Sequence, residues 1–188
     1  MNQETLYHIY NQGNNREPIF FEEKNYIYFL RKVRKHLLPH LHILGYCLMP
    51  NHFHFLAFTK THFDYQKYAT GLRVLLSSYT KAINKQEKRS GSLFRQNTKF
   101  KNISDANEEY FYGQYCLHYI HQNPLRAGLV SKIEEWRFSS YPDYIKIRNG
   151  SICNKELAVE ILRLPKDTKE FINLSKETVP DNVLANLI

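Results

Sequence analysis

Residues 49–58 read MPNHFHFLAF, with His52 and His54 set either side of a single phenylalanine. In a β-strand, residues two apart point to the same face. The two imidazoles therefore project together, and Phe53 and Phe55 point the other way. Neutral imidazoles at this spacing can share one divalent ion, but two ligands make a weak site and a third donor is needed. The same pattern also suits two polar positions on a half-exposed strand. The segment EEYFYGQYCLHYIHQNPLRAGLV, residues 108–130, offers the missing chemistry. Tyr119 and Asn123 are four apart and share a helix face, Gln122 lies near that face, and His121 points elsewhere. A carbonyl oxygen of Asn123 or Gln122 could complete a metal site with Tyr119 beside it. A phenol next to a metal-bound phosphate is a reasonable nucleophile. Its pKa of about 10 means that it needs a nearby cation or base. The chain has fourteen tyrosines, and packing is the commoner role for any one of them.

The elements that must position these groups can be read from the same sequence. Residues 5–12 are β-prone and run into Gly13. Residues 22–38 have helical periodicity, with Ile27, Leu30 and Val33 or Arg34 in step, and stop at Pro39. Residues 40–48 alternate as a strand, Met49-Pro50-Asn51 form a tight turn, and residues 52–59 make the second strand of a hairpin. A long helix over 64–86 carries Tyr65, Tyr68, Leu72, Leu75, Tyr79 and Ile83 on one stripe. Residues 98–103 alternate again. Residues 105–122 form a helix capped by Ser104 or Asp105 and ended by Asn123-Pro124. The order β-α-β-β-α-β-α predicts an α+β, ferredoxin-like domain, an antiparallel sheet with helices packed on one face. We expect this domain to span residues 1–150. Residues 151–188 follow as a C-terminal helix, near 155–164, and a loosely packed tail.

Composition narrows the function classes. The 188 residues suit one domain with a good core, and aromatics are plentiful. No run of about 18 apolar residues exists, so no membrane partner is expected. The start, MNQETLYHIY, lacks the build of a signal peptide. Three scattered cysteines without CxxC spacing argue against a disulfide framework and fit a reducing cytoplasm. The net charge of +8 is uneven. Residues 1–50 hold six basic and four acidic side chains, residues 51–104 ten and two, and residues 105–188 ten and twelve. The excess thus lies directly after the histidines, where a polyanion such as nucleic acid would be drawn.

Five segments occur in order: YHIYNQGNNREPIFF, YCLMPNHFHFLAF, GSLFRQNTKFK, YIHQNPLRAGLV and WRFSSYPDY. Together they resemble the single-tyrosine HUH transposases, in particular the REP-associated tyrosine transposase branch, over about residues 5–145. The resemblance implies a nuclease fold acting on single-stranded, hairpin-containing DNA. It implies a divalent metal, Mg²⁺ or Mn²⁺, held by His52, His54 and Asn123, with Tyr119 as the nucleophile that forms a 5′-phosphotyrosine. Tyr115 lies one turn earlier, but the YIHQNP segment selects Tyr119. Arg16 follows the first strand in a turn that the family places near DNA. Arg73, Lys81, Lys85, Arg95 and Lys99 are the other candidate DNA contacts, with Phe94 and Phe100 suited to stacking on bases. Trp136 and Tyr141 are expected to pack a domain edge. A bacterial, nucleoid-associated cytoplasmic location and a second copy of the chain as partner complete the expectation.

The sequence departs from the branch at Ser92 and at LFRQN, where LFQGR is common, which bears on DNA sequence preference and leaves the catalytic set intact. Two other functions stay open at this point. One is a domesticated DNA-binding protein that recognises hairpin repeats without cutting. The other is a metal-dependent phosphodiesterase that uses water, with Tyr119 structural.

Overall fold

A computed structural model of the chain describes residues 1–103 and 109–180. The expected cap at Ser104 or Asp105 lies outside the described residues. The elements run β1 (Leu6–Gln12), α1 (Glu23–His36), β2 (Leu41–Met49), β3 (His52–Thr59), α2 (Tyr65–Gln86), β4 (Lys99–Asn102) and α3 (Glu109–Arg126). Three short helices follow: α4 (Tyr141–Tyr144), α5 (Lys155–Ile161) and α6 (Thr168–Leu174). The four strands form one sheet in the order β2-β3-β1-β4, with every pairing antiparallel. The α+β, ferredoxin-like architecture read from the sequence is the one observed.

The pleat sorts the side chains between two cores. Tyr7 and Ile9 of β1, Phe53, Phe55 and Ala57 of β3 and Tyr46 and Leu48 of β2 face α1 and α2. Leu6, Cys47, Met49 and Leu56 face α3. The expected helix-covered face is therefore that of α1 and α2. The opposite face is also covered, by α3, with α5 and α6 packed outside it through Ala158, Leu162 and Phe171. The hairpin between β2 and β3 is confirmed, with Met49 paired to His52 across Pro50 and Asn51. In β2 the register shifts between Ile43, opposite Ala57, and Gly45, opposite Leu56, so Leu44 is an extra residue. This bulge switches the parity of the strand. Ile43 faces α1 and α2, Leu44 faces α3, and Tyr46 returns to the first face. A Cβ at Gly45 would stand 2.3 Å from Leu117 Cδ1 of α3, so a larger residue would have to push the end of that side chain aside.

Two helix readings are corrected. The buried stripe of α1 is Tyr26, Phe29 and Val33, whereas Ile27 is 45% exposed. The larger aromatic rings win the core-facing positions, and the stripe is one residue out of step with the expected one. In α3, Asn123-Pro124 does not end the helix, which continues to Arg126 with Pro124 inside it. The stop comes at Gly128, whose φ of +67° favours glycine. Gly128 N donates to Leu125 O (3.0 Å) and Leu129 N to Pro124 O (2.9 Å), a Schellman closure that satisfies the last carbonyls. The extra turn keeps Asn123 on the same helical face as Tyr119.

The stretch expected to be a loose tail contains α6. Its Asp167 cap accepts from Glu170 N (2.9 Å), and Phe171 is buried against Tyr144 with their rings stacked 5.2 Å apart. The segment around Trp136 covers the outer edge of β2: Leu48 N donates to Phe138 O (2.9 Å), Ser140 N to Tyr46 O (2.9 Å) and Trp136 Nε1 to Leu48 O (3.1 Å). Trp136 and Tyr141 are thus packing residues, as expected. Among the described residues no helix is long and apolar enough to cross a membrane.

Candidate active site

Strand parity and register bring the histidines under α3. His54 lies opposite Tyr10 of β1 and Cys47 of β2, and His52 lies opposite Gln12 and Met49. The Tyr119 ring meets them from above. Its centroid is 5.9 Å from His54 and 6.3 Å from His8, edge-on in both cases. A cavity of about 290 Å³ opens here, lined by Tyr10, Gln12, His52, His54, Tyr119 and the basic side chains Arg95 and Lys99. The structure therefore joins His52, His54 and Tyr119 in one pocket.

Hydrogen bonds fix what the imidazoles can offer. His52 Nδ1 lies 2.6 Å from Asn51 Oδ1. Asn51 Nδ2 donates to Arg16 O (3.0 Å), so the amide oxygen faces the ring and His52 Nδ1 must be the donor. The lone pair then sits on Nε2. His54 Nδ1 shares a proton with His8 Nε2 at 2.9 Å. When His54 donates, its Nε2 is likewise left as an electron-pair donor. Burial lowers the His52 pKa to about 4. His54 is pushed well below the usual histidine value by burial and by the neighbouring His8 and His52. Both rings are neutral at pH 7, as metal ligands must be.

His8 is the residue that sequence reasoning missed. It is fully buried, stacks on His54 at 5.0 Å and holds that ring's orientation. Its signal in the sequence is only its parity with Tyr10 on β1, and its partner emerges only once β1 is paired with β3.

The acceptor side is less complete. Asn123 is half-buried and does not line the cavity, and its Nδ2 turns back to donate to Tyr119 O (2.8 Å). Its Oδ1 is the group that suits a hard cation. Two neutral imidazoles with an amide oxygen one helical turn from the phenol fit a divalent ion, provided that the Asn123 amide swings toward the histidines. Gln122, the other candidate, is committed elsewhere. It is buried and donates to Ser175 O (3.0 Å) and Glu177 O (2.7 Å), which ties the C-terminal segment to α3. His121 does point away, with Nε2 2.7 Å from Ser140 Oγ.

Burial raises the Tyr119 pKa above its ordinary value. The Asn123 side chain and the Arg126 guanidinium, 5.9 Å from the ring centroid, act in the opposite direction. Tyr119 is thus a protonated phenol at pH 7, beside groups that favour its anion. Tyr115 packs at the edge of the α3 core.

The predicted DNA contacts do not share one place. Arg95 and Lys99 line the histidine cavity. Arg73 and Lys81, with Arg95 again, line a larger groove between α2 and residues 91–100. Lys85 is exposed on α2 but does not line that groove, and exposed Arg16 sits at φ +61° with its carbonyl on Asn51. Phe94 is buried in the core but also lines the groove, as does half-buried Phe100.

No protein-family model matches the chain, and no curated protein matches it in sequence. Among solved structures the chain is similar to a REP-associated tyrosine transposase bound to a REP hairpin. The TM-score is 0.59 and the identity 14%, over 77% of this chain and 81% of that one. At that identity the likeness is one of fold.

Proposed function

We propose that the protein is a transposase-like nuclease that binds hairpin DNA and cuts and rejoins its single-stranded flank through Tyr119. The observation that carries this reading is the Tyr119 ring set edge-on against His54 in a cavity that also holds His52, Arg95 and Lys99. Binding alone has no need of a buried nucleophile against two neutral imidazoles. The structural neighbour, itself bound to a DNA hairpin, supports the choice of substrate.

In this reading Arg95 and Lys99 hold the phosphates that flank the scissile one. His52 and His54, with Asn123 if its amide turned toward them, would hold a divalent ion such as Mg²⁺ or Mn²⁺. When bound, that ion supplies charge to offset the pentavalent transition state. The Tyr119 oxygen attacks phosphorus as its proton passes to solvent, and Arg126 beside the ring favours the developing phenolate. The bond from phosphorus to the 3′-oxygen breaks, and that oxygen takes up a proton from solvent. The products are a 5′-phosphotyrosine and a free 3′-hydroxyl. A second 3′-hydroxyl can run the step backwards and join strands without ATP. A homodimer, action at the bacterial nucleoid and a boundary near residue 150 belong to the same proposal.

One observation favours a non-cleaving hairpin binder: the Asn123 amide is turned onto the Tyr119 carbonyl. Adduct formation separates the two. The protein is incubated with end-labelled hairpin DNA carrying a single-stranded flank, in Mn²⁺, and resolved under denaturing conditions. We expect a covalent adduct that is lost in Tyr119→Phe and on chelation, with DNA affinity retained. Full cleavage by Tyr119→Phe would show that water, not the phenol, attacks. No cleavage by the native chain would leave the binding protein.

A further inference from the structure

The groove between α2 and residues 91–100 has a volume of about 630 Å³, and the chemistry at Tyr119 does not use it. Its lining runs from Tyr65 to Asn84 along α2, nineteen residue steps or roughly 28 Å of helix. Arg73 and Lys81 stand exposed on that wall, two steps of four residues apart, with Ser77 between them. Each step is about 6 Å. Such a row suits a backbone with regularly repeating charge more than a compact ligand.

Two buried polar atoms at opposite ends of the groove have no partner among the described residues: the Tyr68 hydroxyl and Asn84 Oδ1. Tyr68 is fully buried, lines the groove and meets Phe100 edge-on at 5.9 Å, and Tyr65 stands 52% exposed at the same end. A hydroxyl left unbonded in a protein interior is costly, so its retention beside two aromatic rings points to a ligand that bonds it. Burial pushes the Tyr68 phenol far above its ordinary pKa, so it remains a neutral donor and acceptor. Arg95 and Asn97 line both this groove and the histidine cavity. Their loop is anchored to β1, with Arg95 N on Gln12 O (2.8 Å) and Asn11 Nδ2 on Thr98 Oγ1 (3.0 Å). The two cavities thus share a wall.

We infer that this groove is a track for the unpaired DNA strand that leaves the Tyr119 site, and that its Tyr68 end takes one extruded base. Arg73 and Lys81, roughly 12 Å apart along the helix, bind phosphates two nucleotides apart. Tyr65 and Phe100 flank the base, and the Tyr68 hydroxyl bonds to its edge. The assignment rests on the DNA reading above and adds a second, separable site to it.

The test uses the full chain with metal chelated, so that it binds without cutting. Fluorescence anisotropy compares a blunt DNA hairpin with the same hairpin carrying a single-stranded extension, placed in turn on each side. We expect one extension to tighten binding by about tenfold in the native protein. The gain should vanish in the double variant Arg73→Ala/Lys81→Ala, with blunt-hairpin affinity unchanged. Abasic substitution along the extension should find one position that costs the native protein severalfold and Tyr68→Phe much less. The inference is overturned if the extension adds nothing, or if the double variant weakens the blunt hairpin equally. A Tyr119 adduct that forms while the extension adds nothing sinks only this track. Failure of both DNAs to bind, with no adduct, removes the proposed function as well.

Discussion

His118 gives the protein a measurable sensitivity to acid. It lies on the outer side of α3, one residue before Tyr119, with Nδ1 3.1 Å from Ser175 Oγ and Nε2 buried with no partner among the described residues. Burial lowers its pKa from 6.5 to about 4. A histidine held neutral in the folded state contributes stability that is complete above the unfolded value of 6.5. That contribution is lost as the pH falls toward 4. Between pH 7.5 and pH 5.0 the linkage amounts to about 2 kcal/mol for this one group, and about 3 kcal/mol over the whole range. His121, its neighbour one turn on, is also held well below the ordinary histidine value, by burial and by His118, and adds to the effect. His118→Asn can keep the bond to Ser175 and cannot titrate in this range. Urea unfolding followed by circular dichroism at both pH values gives four stabilities. The native protein should lose about 2 kcal/mol more than the variant on going to pH 5.0. The cavity left by the smaller side chain lowers the variant at both pH values and cancels from the comparison. Equal losses in the two proteins would show that His118 is not held neutral under α6, and the reasoning would fail.

Arg148 offers a sharper test of the region beside β2. Its guanidinium holds the buried Asp143 carboxylate at 2.7 and 2.8 Å and also reaches the carbonyl of Ser139. Arg148→Ala strands a buried charge and should cost about 3–5 kcal/mol in thermal or urea unfolding, whereas Asp143→Asn in the same background should recover part of it. Tyr68→Phe removes a hydroxyl with no partner and should raise stability by about 1 kcal/mol. A loss of stability would mean that the hydroxyl is bonded within the protein. Asn51→Ala removes the acceptor that fixes His52 Nδ1 as the protonated nitrogen. Calorimetric titration with Mn²⁺ or Co²⁺ should then show affinity weaker by about 10–100-fold, with the fold unchanged by circular dichroism.

Much of the site could be read from the chain because it depends on short periods. The two-residue period of β3 placed His52 and His54 on one face, and the four-residue step of α3 placed Asn123 below Tyr119. What resisted reading depends on pairing between distant segments. His8 enters through the register of β1 on β3. Gln122 is taken from the site by backbone carbonyls more than fifty positions later. Asn123-Pro124 looks like a helix end because proline lacks an N–H, yet the Gly128 closure lets α3 run past it. The stripe of α1 slipped by one residue because Tyr26 and Phe29 fill the core better than Ile27, a choice made by packing and not by periodicity. Residues 165–180 have few apolar positions, but Phe171 and Val179 suffice to dock them.

Asn51 belongs to two networks at once. Its amide oxygen orients His52, and its amide nitrogen holds the carbonyl of Arg16, at the turn expected to touch DNA. Any strain that a bound strand puts on Arg16 is therefore felt at the imidazole. Free energies of this kind are reciprocal: if DNA at Arg16 firms the grip of Asn51 on His52, a metal at His52 must strengthen DNA binding by the same factor. The hairpin tip would then work as a thermodynamic relay, and the two ligands would report on each other without touching.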